Sequence, residues 1–431
     1  MADGQRGAGE PRGTGLRVAL LTYRGNPFSG GQGIYVRHLS RELHRLGHDV
    51  TVLAGQPYPA LDDGVRLLPV PSLDLYREPD PFRTPRLGEY RDWIDALEVA
   101  VMMTAGFPEP LTFSLRARRL LRAARAQFDV VHDNQCLGYG MLGIPQPLVT
   151  TVHHPVHVDR AIELAAATGW KRLSLRRWYG FTTMQRRVAR RLRHVITVSE
   201  SSAQEITEHL GVPAHRQTVV PVGTDIDHFS PDPTVARVPG RVVTTASADV
   251  PLKGLAPLVE AIAKVRTERP AELVVIGTAR RGGPVLDLID RYDLHHAVRF
   301  TGRVTDEELV HQLRSAQVAV VPSLFEGFSL PAVEAMACAT PLVATTGGAL
   351  PEVVGPDGKA ALLVTPGDPQ ALADAIGRLL DDESLRARLG AAGRERVVAR
   401  YTWRAAAEGT AQVYHRAIEE HRARAHRSGK E

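Results

Sequence analysis

Short apolar runs alternate with amphipathic helical patterns along almost the whole chain, and this alternation limits the fold more than any other feature. The runs are RVALLTY (17–23), DVTVLA (49–54), DVVHDN (129–134), LVTTVHH (148–154) and HVITVSE (194–200). After a break they resume with RVVTTASA (241–248), ELVVIG (272–277), VRFTG (298–302), VAVVPS (318–323), PLVATT (341–346) and ALLVTP (361–366). Both alternating faces of these runs are apolar. Strands covered on two sides have that pattern, which predicts parallel sheets between layers of helices. In GIYVRHLSRELHRLG, Val36, Leu39, Leu43 and Leu46 recur at helical spacing, and Gly47 stands where a helix would close.

A chain of 431 residues is long for one core, so two domains are expected. The break at 219–240, with four prolines and no long periodic run, reads as a linker. The predicted organisation is a disordered tail at 1–15, a first domain at 16–218, the linker, and a second domain at 241–402. A last helix, from about 403 to 422, is expected to pack back on the first domain, followed by a frayed RARAHRSGKE. Residues 56–115 read as long loops on the substrate side with one or two helices.

Composition removes several classes. No apolar run approaches 18 residues, so no transmembrane helix is expected. The opening MADGQRGAGEPRGTG has no apolar segment of the signal-peptide kind. Cys136 and Cys338 stand far apart in apolar surroundings and read as buried free thiols, which fits a cytoplasmic protein. The net charge is +5, yet only five of the 53 basic residues are lysines. Basicity of this kind reflects arginine-rich composition, and no nucleic-acid-binding motif accompanies it, so nucleic acid is discounted as a partner.

Three stretches look built for anions. The first strand runs into RGNPFSGGQGIYV, where Gly30 and Gly31 precede a helix start with unpaired N–H groups. It is neither a P-loop nor the dinucleotide fingerprint, and a plain turn with a helix cap is the alternative. The second is VPSLFEGFSLPAVEAMACATPLVATTGG (321–348), with Ser329 expected to cap a helix and Pro331 in its first turn. Amides of Gly327, Phe328, Ser329 and Leu330 would face an anion beyond the strand end. Glu334 would accept from ribose hydroxyls and Glu326 from sugar hydroxyls. As a lone acid among apolar neighbours, Glu334 needs a partner or a ligand. The third stretch, TTASADVPLKGLAPLVEAI, places Lys253 before a helix, where a compact ammonium suits a pyrophosphate.

With Glu326 and Glu334 eight positions apart in EGFSLPAVEAMACATPLVATTGGALPEVV, the chain resembles the retaining glycosyltransferases of family 4. SGGQGIYVRHLSRELHRLGHDV, TVH ending at His153, ITVSE at 196–200 and Lys253-Gly254 support the resemblance, which spans about Arg17 to Tyr414. It implies the GT-B fold, an α/β architecture of two Rossmann-like, doubly wound domains facing across a cleft. It implies transfer of a sugar from a UDP- or GDP-type nucleotide sugar, with no cofactor and no metal. Gly30 and Gly31 would lie against the distal phosphate, and Lys253 with the 327–330 amides would hold the pyrophosphate. Glu334 would bind ribose, Glu326 the donor sugar, and His153 would sit beside that sugar. The backbone of Arg303 and Val304 would read the base. Two departures stand out. Ser247 occupies the place where relatives carry an arginine, with Arg280 or Arg281 as candidate substitutes, and PVGTD (221–225) replaces the usual P-N-G-V-D.

The chemistry expected is stabilisation of a departing nucleoside diphosphate by helix starts and Lys253. Front-side attack follows from the resemblance, with the departing phosphate helping to deprotonate the acceptor hydroxyl. Asp225-Ile226-Asp227 has metal-binding spacing but reads as structural, and His153, His154 and His157 lack partners at zinc spacing. Residues 170–193 form a basic amphipathic pattern. It is a candidate for peripheral contact with an anionic inner-membrane face, the alternative being a core-packed helix with a solvated basic side. The acceptor, whether lipid-linked, glycan or small molecule, is not legible. A non-catalytic nucleotide-sugar binding protein, and a GT-B epimerase or phosphorylase, are the competing readings.

Overall fold

The computed structural model describes residues 15–26, 31–77, 79–246 and 250–428. These fall into two compact units. One holds the residues through Thr197, Ala203–Val220 and the chain from Ala406 onward; the other holds Val198–Ser202 and Pro221–Ala405. The tail expected at 1–15 lies, but for its last residue, outside the described residues.

The first unit carries a parallel sheet of β1 (Arg17–Thr22), β2 (Asp49–Ala54), β3 (Arg66–Pro69), β4 (Val130–Asn134), β5 (Leu148–Val152), β6 (His194–Thr197) and β7 (Gln217–Val219). Its order is β3-β2-β1-β4-β5-β6-β7. The second carries β8 (Val238–Thr245), β9 (Glu272–Ile276), β10 (Val298–Phe300), β11 (Ala316–Val321), β12 (Leu342–Thr345) and β13 (Leu362–Val364), in the order β10-β9-β8-β11-β12-β13. Both are doubly wound. The strand order reverses between β1 and β4 in one sheet and between β8 and β11 in the other, the points where such sheets receive ligands.

Most strands read from their apolar runs are buried on both faces, as β2 shows from Val50 to Ala54; β10, at the edge of the second sheet, exposes Arg299. The apolar runs do not announce β3 and β7. β3 is an exposed edge strand ending in Pro69, and β7 is a half-buried edge strand of three residues. Edges need no continuous apolar run, and proline is tolerated there. Inside the 56–115 region, the helix Trp93–Met103 is capped by Asp92, whose carboxylate accepts from the amides of Ile94 and Asp95. Arg116, on the next helix (Glu109–Ala123), pairs with buried Asp95 and Glu98 and anchors this insertion.

The basic stretch 170–193 is not one helix. It breaks at Tyr179-Gly180 into Gly169–Trp178 and Phe181–Ala189. Part of its apolar side turns inward: Trp178 and Phe181 pack on Phe107 with centroids 5.1 and 5.4 Å away, and Val188 and Leu192 are buried, whereas Trp170 and Leu173 on the first helix are exposed. Among the described residues, no helix is long and apolar enough to cross a membrane.

The last helix runs from Trp403 to Ser428, longer than expected, because Arg and Ala favour helix and His426 and Arg427 suit its negative end. Within the first unit, its Tyr414 is fully buried with Oη 2.7 Å from His132 Nδ1, and His132 Nε2 lies 2.7 Å from Thr151 Oγ1. In the second unit, Asp225 Oδ1 accepts from the amides of Asp227 and His228, so this Asp-Ile-Asp shapes a turn. Both cysteines are buried and free.

Candidate active site

The second unit brings two of the expected residues, Lys253 and Glu326, together at the β8/β11 reversal. Past β8, Ser247 lies outside the described residues. The chain then forms a tight turn at Pro251–Lys253 and enters the helix Leu255–Val265 through Gly254 at φ 65°. A Cβ on Gly254 would stand 1.9 Å from the Pro322 carbonyl oxygen, so only glycine lets this turn press against the loop after β11. The Leu324 amide, donating to the Leu252 carbonyl at 2.7 Å, joins the same two loops.

This approach puts Lys253 Nζ 2.8 Å from Glu326 Oε1, while Ser323 Oγ donates to the same oxygen at 2.7 Å. Glu326 is 9% exposed, and its other oxygen makes no hydrogen bond among the described residues. An ammonium has three donors, so Lys253 can keep the carboxylate and still meet a phosphate oxygen.

The segment 327–330 is held from behind. Ser199 and Ser202, in the stretch that groups with this unit, donate to the Gly327 carbonyl at 2.6 and 3.0 Å. A trans peptide sets the Phe328 N–H opposite that carbonyl, away from the two serines. The Phe328 ring rests edge-on against Tyr401 at 5.6 Å. Ser329 does not cap the helix as expected. It sits at φ 95°, ψ 80°, a left-handed conformation from which its hydroxyl makes no cap bond, and Oγ is buried without a partner among the described residues. Such backbone strain costs on the order of 1–3 kcal/mol.

Leu330 opens the helix Leu330–Ala337, with Pro331 in its first turn. Ala332, Val333, Ala335 and Met336 are buried around Glu334. Burial first, and the Asp306 charge second, push the Glu334 carboxyl up to about 7. No side chain among the described residues pairs with it. Arg303 and Val304 follow β10, with Arg303 exposed, and Arg280 and Arg281 are exposed after β9.

Of the other expected residues, Gly31 and His153 belong to the first unit. Gly30 lies outside the described residues, and Gly31 begins the helix Gly31–Arg45. Gly33 has a steric cause: a Cβ there would fall 2.1 Å from the Asn26 carbonyl oxygen. His153 follows β5, beside the β1/β4 reversal. Its Nε2 is 2.8 Å from Asn134 Oδ1, and its amide donates to Gln135 Oε1 at 2.7 Å. Burial, then neighbouring His154, push the imidazole down to about 3. Among the described residues, no group of three His, Cys, Asp or Glu is placed to hold a metal ion.

Residues 29–228 match the model described as Glycosyltransferase Family 4, and residues 239–382 match Glycosyl transferases group 1. The MMP alpha-(1->4)-mannosyltransferase of Mycolicibacterium hassiacum is 53% identical over 94% of this chain and 98% of its own length. The chain belongs to glycosyltransferase family 4. A D-inositol 3-phosphate glycosyltransferase of Kineococcus radiotolerans is 30% identical to this glycosyltransferase, over 94% of one chain and 96% of the other. Among solved structures, sucrose-phosphate synthase from Thermosynechococcus elongatus superposes with a TM-score of 0.70 at 23% identity, covering 94% of this chain and all of that one. Anabaena HepE in complex with UDP gives 0.65 at 18% identity, over 92% and 99%. The fold of the glycosyltransferase is GT-B.

Several residues around these groups carry no local signal in the sequence. Ser199, Ser202 and Ser323 are ordinary serines there, and Asn134 and Gln135 end an apolar run. Only ITVSE, notable for its likeness to the family, points toward Ser199.

Proposed function

We propose that this glycosyltransferase moves a mannosyl group, with retention of configuration, from a UDP- or GDP-type nucleotide sugar to a carbohydrate 4-hydroxyl. The identity of 53% over 94% of the chain with an α-(1→4)-mannosyltransferase carries the sugar and linkage. In this reading the diphosphate lies on the 327–330 amides with Lys253 beside it, and ribose hydroxyls bond to Glu334. Glu326 Oε2 accepts from the donor sugar while Oε1 stays with Lys253. Gly30 and Gly31 approach the distal phosphate, Arg303 and Val304 meet the base, and His153 lies next to the transferred sugar.

Glycosidic cleavage then leaves negative charge on the diphosphate, where the helix start and the ammonium stabilise it. The departing phosphate oxygen takes the acceptor proton as the new bond forms on the same face. These fixed charges act without a divalent cation or cofactor.

The test is nucleoside diphosphate release from a panel of UDP- and GDP-sugars, with mannosyl and glucosyl oligosaccharide acceptors, with and without EDTA. The reading predicts release with a mannosyl donor only when acceptor is present, an α-linked product, and no loss in EDTA. A preferred donor other than mannose, an inverted product or loss of activity in EDTA would refute the corresponding part.

A further inference from the structure

We infer that Asn134 and Gln135 are positioning residues that hold His153 as a neutral imidazole with its hydrogen on Nε2, leaving Nδ1 to accept a hydroxyl of the transferred sugar. The sugar part of this inference rests on the function proposed above; the ring's state does not.

Both residues stand at the end of β4, where the first sheet reverses. Gln135 adopts φ 53°, unusual for a side chain of its size, and is 7% exposed. This conformation sends its amide group along the backbone of His153 and His154. Oε1 accepts from the His153 N–H at 2.7 Å and Nε2 donates to the His154 carbonyl at 2.8 Å. The backbone beneath the imidazole is therefore clamped by a single side chain.

Asn134 faces the ring with Oδ1 2.8 Å from His153 Nε2, and in this orientation of the amide Nε2 carries the hydrogen and the neutral ring has its lone pair on Nδ1, while Asn134 Nδ2 is buried without a partner among the described residues. The Tyr35 ring stands edge-on to the imidazole at 4.6 Å. Its hydroxyl lies 3.3 Å from Thr151 Oγ1, which continues to His132 and Tyr414. The ring is thus fixed by β4, β5 and the helix Gly31–Arg45 together.

The titratable neighbours give a cation no support. His132 on β4 and His154 on the same loop are themselves imidazoles, and Tyr35 is pushed up to about 12 by burial. Asp133, next to Asn134, is turned to the amides of Cys136 and Leu137. A neutral acceptor also suits the chemistry. Sugar transfer develops positive charge at the anomeric carbon, and an imidazolium beside it would oppose that.

The test uses the full chain labelled with 15N-histidine and long-range 1H–15N spectra of the imidazole. His153 should show the neutral Nε2–H form throughout pH 5–8 without any ligand. Asn134→Asp, nearly the same in shape, should raise the His153 pKa by about 1–3 units. Its kcat should then gain a loss on the acid side that the wild type lacks. Gln135→Ala, which frees the backbone that carries the imidazole, should lower kcat roughly 10- to 100-fold, as misplacing a positioned group does, with donor KM little changed. An Nδ1–H ring or an imidazolium in the wild type near pH 7 overturns the inference, as does an unshifted pKa in Asn134→Asp. The spectra need no donor, so they decide the state of the ring even if the donor assignment fails.

Discussion

Replacing Lys253 with alanine should cut kcat by about 10²- to 10³-fold, the loss seen when one preorganised donor is taken from a developing oxyanion. Among the described residues it is the only cation placed against Glu326, beside the segment that opens the 330–337 helix. In family 4 terms it must also act where Ser247 provides no guanidinium. The fold should survive with some loss of stability, because the Lys253 side chain is a third exposed but Glu326 is buried and loses its cation. Glu326 would keep its bond from Ser323. Arginine should rescue poorly, since a planar guanidinium does not reproduce the compact ammonium's contact with Glu326 Oε1 and a phosphate oxygen together. Steady-state rates beside a thermal melt decide this. Wild-type turnover in a folded Lys253→Ala protein would remove Lys253 from the mechanism.

Donor binding should tighten as pH rises, and Glu334 should be the cause. Its carboxyl is held up near 7 in the free protein, and only the carboxylate can accept from two ribose hydroxyls. From pH 6 to pH 8 the ionised fraction grows about tenfold, so affinity for a nucleotide sugar should grow by about the same factor. A nucleotide sugar is the right probe because its doubly esterified diphosphate does not titrate in that window. Binding near pH 7 should release a proton, visible in calorimetry as heat that depends on the buffer. Glu334→Gln should bind more weakly above pH 7 and show no such dependence.

The free protein carries the opposite sign. A carboxyl raised from 4.5 to about 7 holds its proton longer folded than unfolded, so stability falls as pH climbs through that range. Glu334→Gln should therefore be the more stable protein at pH 8, by up to about 3 kcal/mol. Equal pH profiles for the two proteins would contradict the assignment.

Legibility in the sequence followed burial. β1, β2 and β8 announced themselves because both faces are covered, whereas β3 and β7 at the edge had no such run to show. Glu334 was legible for a related reason: a lone acid among Ala332, Val333, Ala335 and Met336 breaks an apolar pattern. Ser329 misled, because a serine before a helix normally caps it, and the left-handed backbone here points its hydroxyl elsewhere. The supporting serines and the Asn134–Gln135 clamp were illegible. Ser199 and Gly327 are 128 residues apart, and a hydrogen bond over that separation leaves no local periodicity. The same holds for the 170–193 stretch, whose basic face was visible while the ring cluster that takes up Trp178 and Phe181 was not.

The most direct measurement is a crystal structure with an intact nucleotide sugar. The account predicts the diphosphate against the 327–330 amides with Lys253 Nζ in hydrogen-bond reach, and the ribose on Glu334. A nucleotide bound with its phosphates away from the start of the 330–337 helix would contradict it.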